Sequence, residues 1–300
     1  MARWDVILGS NTLSLTGRAP LDLVSIQGIG SAPTRRLVER GPFQDGDTDV
    51  GFRVDARMIN LVLFFQAETA ALADTYRDLV HAQFRGLSAP LKLRYTRDDG
   101  ATRQIDCFVS GIVDAPDDDQ SRIGHSQKIG VQLRAPDPIW YDPNGASVAM
   151  LGGSATGASG FGVNMAVPWT QAAQTYINRT FALAYPGTWA EYPVITVYGP
   201  ATNITITNQT TGDVLDFPTL ALTAGQWIQI DLRYGYKTIV DQNGTSQIAK
   251  LSSDSDLATW RLAAAPEAAD GINTLLFEVA SSANNSTGIT FQYFNRYAAA

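Results

Sequence analysis

The sequence predicts a mainly β protein of two domains, and three observations lead to this prediction. Its 300 residues exceed the usual size of a single domain. Short segments in which apolar and polar residues alternate recur along most of the chain, separated by turns rich in Gly, Asn and Asp. Only one segment, near residue 75, has helical periodicity instead. We therefore expect a first domain over residues 1–140 that combines strands with one helix, and an all-β second domain over residues 141–300.

The first half begins with strands and continues into the helix. Three strands are predicted, at Leu21–Ile26, Arg35–Arg40 and, as one long strand, Gly51–Phe65. The helix is predicted over Ala67–Arg85, with Gly86 as its stop, because apolar residues recur there at helical spacing. The residues of this buried stripe are Leu72, Tyr76, Leu79, Val80 and Phe84.

Two hairpins are predicted after the helix. In the first, strands that alternate around Leu93 and Cys107 flank the tight-turn pair Asp99-Gly100. The second has an acidic loop at Ala115–Gln120 and a return strand in which Ile129, Val131 and Leu133 share one face. One helix against antiparallel strands indicates a small α+β or β-sandwich domain.

The segment RAPDPIWYDP, Arg134–Pro143, is predicted to join the two domains. Its three prolines remove amide donors and end the preceding strand. We expect the apolar side chains that follow to pack in the seam between the domains, although an aromatic loop that holds a ligand is the competing interpretation. The predicted seam residues are Pro136, Pro138, Ile139, Trp140 and Tyr141.

The second half begins with residues 144–163, which are so rich in Gly, Ala and Ser that we expect a connector or a long surface loop. Short strands follow at intervals that are typical of a β-sandwich or jelly roll. The pair Asn243-Gly244 predicts a hairpin turn. The predicted strands are Pro193–Tyr198, Asn203–Thr207, Val214–Phe217, Gln226–Leu232, Lys237–Val240, Ser246–Leu251, Asn273–Val279 and Ile289–Phe294.

The residues with reactive side chains do not indicate an enzyme. Cys107, the only cysteine, alternates with apolar residues and is expected to be buried, and only two histidines are available for a triad or a metal site. The segment Asp45–Gly51, DGDTDVG, begins like a calcium loop but has Val50 and Ala56 where an EF-hand needs Gly and Glu. We therefore expect no catalysis, no cofactor and no metal ion.

The overall charge and hydropathy exclude two further classes. The formal net charge is −7, and acidic residues outnumber basic ones in both halves of the chain, so neither half offers a basic nucleic-acid surface. No apolar run approaches membrane-spanning length, and the amino terminus has no signal-peptide pattern. We expect the chain to fold in a cytoplasm.

Aromatic residues are frequent in the second half and have two interpretations. Packing between the sheets of a sandwich is the one we favour, and stacking on sugar rings is the alternative, which would make the domain a carbohydrate-binding adhesin for a host cell-wall glycan. The residues concerned are Trp169, Trp189, Tyr192, Tyr198, Trp227, Tyr234 and Tyr236.

An ordered series of segments resembles the distal tail protein family of long non-contractile-tailed bacteriophages. The segments are QLRAPDPIWYDP, YPGTWAEYPVITVYGPATNITITNQTTG, LTAGQWIQIDL and LSSDSDLATWRLAAAPEAADGINTLLFEV. One departure is the stretch Ala263–Thr274, which is longer than is usual in the family.

The resemblance implies a structural role at the tail tip of the virion. Such proteins form a hexameric ring that joins the major tail tube protein above to the tail-associated hub protein below, and their galectin-like carboxy-terminal sandwiches project outward, where tail fibres or receptor-binding proteins could attach. The ring would assemble in the host cytoplasm without membrane contact, and DNA would pass through it without specific binding.

A ring needs two complementary surfaces on each subunit, and the resemblance leads us to expect them in the first domain. We predict inter-subunit contacts at Arg53 and Arg57 of the long strand and at the hairpins around Asp99 and Asp118. We further expect Asp117, Asp118 and Asp119 to face the lumen, where negative charge would keep passing DNA from binding.

Overall fold

The computed structural model describes residues 3–16, 21–85, 89–116, 118, 121–151, 177–281 and 287–300. The chain divides into two compact units, the first formed by residues 1–143 together with 296–300 and the second by residues 144–295. The sequence had placed the last five residues in the second domain. They belong to the first because Tyr297 and Arg296 pair with Trp140 and Tyr141 as a short antiparallel ladder.

The strands of the first unit are β1 (Arg3–Leu8), β2 (Asn11–Ser14), β3 (Asp22–Gln27), β4 (Thr34–Glu39), β5 (Thr48–Val54), β6 (Arg57–Gln66), β7 (Leu91–Thr96), β8 (Thr102–Val109), β9 (Arg122–Ile123), β10 (Ser126–Ala135), β11 (Trp140–Tyr141) and β21 (Arg296–Tyr297). The unit is built on an antiparallel sheet with the order β2-β1-β7-β8-β10-β6-β3, to which β9, β11 and β21 add. Alternate side chains of β6 and β10 are buried, which places the core on one face of these strands.

The predicted long strand over Gly51–Phe65 is wrong, because the chain leaves the strand conformation at Asp55 and Ala56. Its first part is β5, which pairs only with β4, and its second part is β6, which lies between β10 and β3. The alternation of apolar residues continues across the break, so the sequence pattern did not reveal it.

The predicted helix is confirmed as α1 (Ala70–Gln83). Thr69 caps it, since its hydroxyl oxygen accepts a hydrogen bond from the Leu72 amide at 3.3 Å. Val80 and the following Phe84 are buried in the core, whereas Leu79, which was predicted to be in the buried stripe, is exposed. The side-chain nitrogen of Gln83 donates to the Val6 carbonyl of β1. The predicted stop, Gly86, lies outside the described residues.

The second unit contains two antiparallel sheets that share one apolar core, which confirms the prediction of a mainly β protein with sandwich character. Its strands are β12 (Ala146–Leu151), β13 (Ile177–Ala184), β14 (Val194–Tyr198), β15 (Ala201–Asn208), β16 (Val214–Leu222), β17 (Trp227–Asp231), β18 (Thr238–Asp241), β19 (Ile272–Ser281) and β20 (Gly288–Tyr293). The five-stranded sheet has the order β12-β20-β14-β17-β18 and the four-stranded sheet has the order β13-β19-β15-β16.

Two predictions in the second unit are wrong. Ala146–Leu151, which was assigned to a connector, is a strand because all six residues pair with β20; residues 152–163 of that connector lie outside the described part. The predicted strand at Ser246–Leu251 contains a 3-10 turn at Ile248–Lys250 instead. The turn before it does form, with Gly244 at φ +78°, but only one bridge, Val240 to Ser246, follows it.

Among the described residues, no helix has the length and apolar character that crossing a membrane requires.

Candidate functional site

The reactive side chains singled out in the sequence, Cys107 and His81, lie in different environments of the first unit. Burial raises the pKa of the Cys107 thiol to about 12, so the sulfur stays protonated at neutral pH and is a poor nucleophile. His81 is exposed on α1, and Asp74 nearby pairs with Arg77 at 3.1 Å. Within the described ranges, no group of three or more His, Cys, Asp or Glu side chains is placed to hold a metal ion.

The segment that begins like a calcium loop has a different part in the structure. Asp45 and Asp47 lie in the loop between β4 and β5, whereas Asp49 is already in β5. There the Asp49 carboxylate pairs with Arg36 across the hairpin at 2.8 Å. This ion pair links β4 to β5.

The most unusual feature of the first unit is the hairpin of β4 and β5, which we call the ribbon (residues 34–54). It forms a sheet of its own, and all six residues of β4 are exposed. A two-stranded hairpin is at best marginally stable in water unless something covers it. The ribbon is therefore a surface that lacks an apolar partner within the described chain.

The ribbon carries large apolar side chains that are open to solvent. Phe52 is 55% exposed and lies opposite Arg36, whose guanidinium carbon is 5.9 Å from the ring centre. Phe43, in the loop at the ribbon's end, is fully exposed at 103%. The other exposed apolar residues of the ribbon are Leu37, Val38 and Val50.

The loop that carries Phe43 is held by its own hydrogen bonds. The Gly41 amide donates to the Gln44 side-chain oxygen at 3.0 Å, and the Gln44 side-chain nitrogen donates to the Thr48 hydroxyl at 2.7 Å. Phe43 is thus presented on an ordered turn while it contributes nothing to the core. Clusters of exposed apolar residues of this kind mark surfaces that bind another protein.

The two arginines predicted to contact another subunit have different environments. Arg53, on the ribbon, is exposed and pairs with Asp55 at 3.1 Å. Arg57, at the start of β6, is only 1% exposed, so the structure revises its assignment from an inter-subunit contact to a buried structural residue.

Arg57 holds together three distant parts of the first unit through backbone carbonyls. Its Nε donates to the Pro138 oxygen at 2.9 Å and its Nη2 to the Ala298 oxygen at 2.9 Å. Its Nη1 donates to the Gly28 and Gly30 oxygens at 2.8 and 2.5 Å. Carbonyl acceptors compensate the buried guanidinium, which would otherwise be costly.

The predicted seam residues are anchored in the first unit. Trp140 is fully buried in that unit's core, edge-on to Trp4 with ring centres 6.0 Å apart. Pro138 and Ile139 are also buried, whereas Pro136 is exposed. The burial of Trp140 is accounted for by contacts within the first unit, and its role in a seam stays a prediction.

Tyr141 joins β11 to β8 by a short polar network. Its hydroxyl donates to the Asp106 carboxylate at 2.7 Å and accepts from the Gln104 side-chain nitrogen at 2.7 Å. Burial and the Asp106 bond raise the pKa of the Tyr141 phenol. Asp137 pairs with Arg296 of β21, so the segment from Pro136 to Tyr141 is fixed on both sides.

The remaining predicted sites are only partly described. Asp99 is exposed at the tip of the β7–β8 hairpin, where it accepts from the Ala101 amide at 2.9 Å. Asp118 is exposed and accepts from the Ser121 amide at 2.7 Å. Asp117 and Asp119 lie outside the described residues.

The aromatic residues that were weighed between packing and sugar stacking are mostly near the surface. Tyr234 and Tyr236 are exposed, and Tyr192 is only half-buried. The buried aromatic side chains of the sandwich are others, namely Tyr185, Phe217, Trp260, Phe277, Phe291 and Tyr293. Trp169 lies outside the described residues.

The fold defines the chain as a mainly β protein of two compact units, the first with one helix and the second with two packed sheets. No protein-family model matches it, and no curated protein sequence matches it either. Solved structures do: it has the fold of the SPP1 Dit (gp 19.1) protein, described as a paradigm of the hub adsorption apparatus in phages that infect Gram-positive bacteria. The TM-score is 0.62 at 11% identity, over 98% of each chain.

The similarity confirms the fold that the distal tail resemblance implies, and at this identity it extends to the fold alone. Two structures of the phage P2 baseplate in its activated conformation, with Ca and with Sr, also cover 98% of each chain at 10% identity. Their TM-scores of 0.45 and 0.42 are too low to support an argument.

Sequence reasoning missed the apolar residues of the ribbon. A usable pattern was present in the first strand, because Arg35–Arg40 carries charged and apolar side chains on both faces. Strands that cover a core have one apolar and one polar face, so this mixture indicates a strand that packs elsewhere.

Proposed function

We propose that this protein is a structural component of a phage tail tip, a distal tail protein whose first units associate into a ring. The observation that supports this most directly is the ribbon, with exposed Phe43 and Phe52 and no partner within its described unit. The shared fold with SPP1 Dit and the sequence resemblance point to the same role.

In this proposal the ribbon of one copy packs on a different surface of the next copy. Such a contact is heterologous, and repeating it around an axis closes a ring. The resemblance supplies the number of six subunits and the neighbours, which are the tail tube protein on one side and the hub protein on the other. Burying one phenylalanine contributes about 1.5–3 kcal/mol, so two per interface provide a substantial driving force.

The acidic loop that contains Asp118 is proposed to face the channel of the ring. Negative charge there would repel the phosphates of passing DNA and keep it from binding. The exposure of Asp118 is compatible with this position. Substituting Asp118→Lys is expected to slow DNA ejection from assembled particles, and unchanged ejection from correctly assembled tails would contradict the channel position.

The ring is tested by measuring the molar mass with size-exclusion chromatography and light scattering, alone and with the hub protein of the same phage. We expect a hexamer in at least one of these conditions and a monomer for Phe43→Ser. Ile112→Ser is the matched control, because Ile112 is also highly solvent-exposed in the first unit, at 81%, but lies outside the ribbon. A monomer in both conditions, or a hexamer that Phe43→Ser leaves intact, would contradict the proposal.

A further inference from the structure

The sheet of the first unit has a second apolar surface, on the side of β6 that faces away from the core. Ile59 and Leu63 are buried in the core, and successive residues of a strand point to opposite faces. Met58, Val62 and Phe64 therefore point to the other side, where Met58 is 39% exposed. We call this surface the β6 face, and it consists of Met58, Val62 and Phe64 with their neighbours Phe108 of β8 and Lys128 and Arg134 of β10.

At one end of the β6 face an arginine lies between two apolar side chains. Arg134 is directly opposite Phe108 of β8 on one side and Met58 of β6 on the other. Side chains in such positions point to the same face, with Cβ atoms about 4.5–5.5 Å apart. Arg134 is exposed, and within the described ranges its guanidinium makes no hydrogen bond or ion pair. This end of the face therefore offers a positive charge beside apolar surface.

The end of the ribbon carries the complementary groups. Phe43 is fully exposed, and Asp45 and Asp47 follow it in the same loop. Both aspartates are exposed, and their carboxylates have no hydrogen-bond donor and no cation as a partner among the described residues. Residues 39–47 contain three acidic side chains and one basic side chain, Arg40, which gives the ribbon's end a net charge of −2. An apolar ring beside negative charge matches an arginine between apolar side chains.

The ribbon cannot place this end on the β6 face of its own copy. β5 ends at Val54, a few residues before Met58, so the base of the ribbon lies near that face. Phe43 lies beyond the last of the six β4–β5 pairs, which puts it about 20 Å from the base. Paired strands keep a hairpin extended, so its far end does not return to its base. A ribbon that reaches the β6 face with Phe43 therefore belongs to a second copy of this chain.

The other end of the β6 face is less suited to the acidic end of the ribbon. Phe64 has Lys128 of β10 opposite it on one side and Asp22 of β3 on the other. The Asp22 carboxylate offsets the charge of Lys128 there, whereas both residues opposite Arg134 are apolar. Apolar burial supplies most of the affinity of such a contact, and opposite charges fix its register. The charges therefore direct the ribbon's end to Arg134.

We propose that the ribbon of one copy docks on the β6 face of the next copy, with Phe43 against Met58 and Phe108. The carboxylates that follow Phe43 then pair with Arg134. This docking depends on the proposed ring and supplies the surface that receives the ribbon in it. From Met58 to Phe64 the face is about 20 Å long, like the ribbon, so the rest of the ribbon covers the remaining apolar side chains of β6. Each copy presents both surfaces, as a heterologous contact requires.

The test exchanges the charges of the two surfaces in the full-length protein, and the molar mass is measured by light scattering, alone and with the hub protein of the same phage. Arg134→Glu should give monomers where the wild type is hexameric, because a third carboxylate then faces Asp45 and Asp47. Adding Asp45→Lys and Asp47→Lys to the same chain should restore the hexamer, since every contact joins opposite charges again. Lys92→Glu is the matched control and should leave the hexamer intact, because Lys92 is exposed on β7, which β8 and β10 separate from β6.

Cross-linking locates the contact directly. Pro42→Cys places a thiol beside Phe43, and Asn60→Cys places one on the same side of β6 as Met58. A short bismaleimide should join the two thiols between copies of the double variant. Cys107 does not react, because it is buried and its thiol is protonated. Pro42→Cys combined with Lys92→Cys is the control and should give no cross-link.

The outcomes separate the docking from the ring itself. An Arg134→Glu variant that stays hexameric, a charge-exchanged variant that stays monomeric, or a hexamer without the cross-link between positions 42 and 60 would each overturn the docking. In these cases a wild-type hexamer that Phe43→Ser dissociates would still support the ring. A wild-type protein that is monomeric in both conditions would contradict the ring and the docking together. Each variant must show the native circular dichroism spectrum, so that unfolding is not taken for dissociation.

Discussion

In the second unit every described strand belongs to one of two sheets that share a core, whereas in the first unit β4 and β5 pair only with each other. The second unit therefore covers its own apolar surface, and the first leaves Phe43 and Phe52 in solvent. In the proposed ring this difference would mean that the first unit is completed by association, whereas the second covers its own core as a single copy. We therefore expect substitutions in the core of the first unit to change its stability and substitutions of exposed residues in the ribbon to change association.

Stability of the first unit can be followed separately, because Cys107 is the chain's only cysteine and is buried in that unit. Its protonated, inaccessible thiol reacts with a labelling reagent only when the first unit opens. When closing is faster than labelling, the labelling rate measures the free energy of opening.

The largest effect is expected for Arg57→Ala. The substitution removes four hydrogen bonds that a charged guanidinium donates, and bonds from charged groups contribute about 1.5–3 kcal/mol each, so we expect a loss of about 5 kcal/mol or more. Arg53→Ala is the control substitution at a nearby exposed position. It removes only an exposed ion pair and should change the free energy of unfolding by less than about 0.5 kcal/mol. Similar Cys107 labelling rates for the two variants would show that Arg57 does not organise the unit.

Trp140→Ala should destabilise the first unit by about 3–5 kcal/mol, because it opens a cavity beside Trp4. The expected result is faster Cys107 labelling, with hydrogen exchange of second-unit strands such as β19 unchanged. If hydrogen exchange in β19 became faster while Cys107 labelling stayed slow, Trp140 would stabilise the second unit rather than the core of the first unit.

Deleting residues 296–300 should have a smaller but clear effect. The deletion removes the bond from Arg57 to Ala298 and the bond of 2.7 Å from Arg103 to the Ala299 oxygen, together with the β11–β21 pairing. We expect a loss of about 2–3 kcal/mol at the usual net value of a hydrogen bond. Labelling of Cys107 at the wild-type rate in this deletion variant would mean that residues 296–300 do not stabilise the first unit.

The sequence predicted the parts of this structure that depend on local pattern. Alternation around Ile195, Ile230 and Phe277 identified three strands of the sandwich, and helical spacing around Val80 identified α1. Arg57 shows why other parts of the structure could not be predicted from the sequence. Its acceptors come from residues 28, 30, 138 and 298, so its burial depends on contacts across the whole unit.

The outer face of the five-stranded sheet could not be predicted for the same reason. It combines Ser147, which was assigned to a connector, with Gln292, far along the chain, and the pairing of β12 with β20 brings them together. The aromatic residues Tyr234 and Tyr236 were noted from the sequence, but their exposure depends on the loop after β17. Composition identified the residue types, and topology decided which of them meet.

The smallest effect on stability is expected for Phe52→Ser, and this makes it the sharpest test of the comparison between the units. Phe52 is exposed in the single copy, so replacing it removes little buried surface, and Cys107 labelling measured at a concentration where the protein is monomeric should change by less than about 0.5 kcal/mol. The same substitution should abolish the proposed hexamer, because in that ring the apolar side chain of Phe52 would be buried between copies. If Phe52→Ser strongly destabilised the first unit in the monomeric protein, the ribbon would have to pack on its own unit in solution. Both units would then cover their apolar side chains within a single copy.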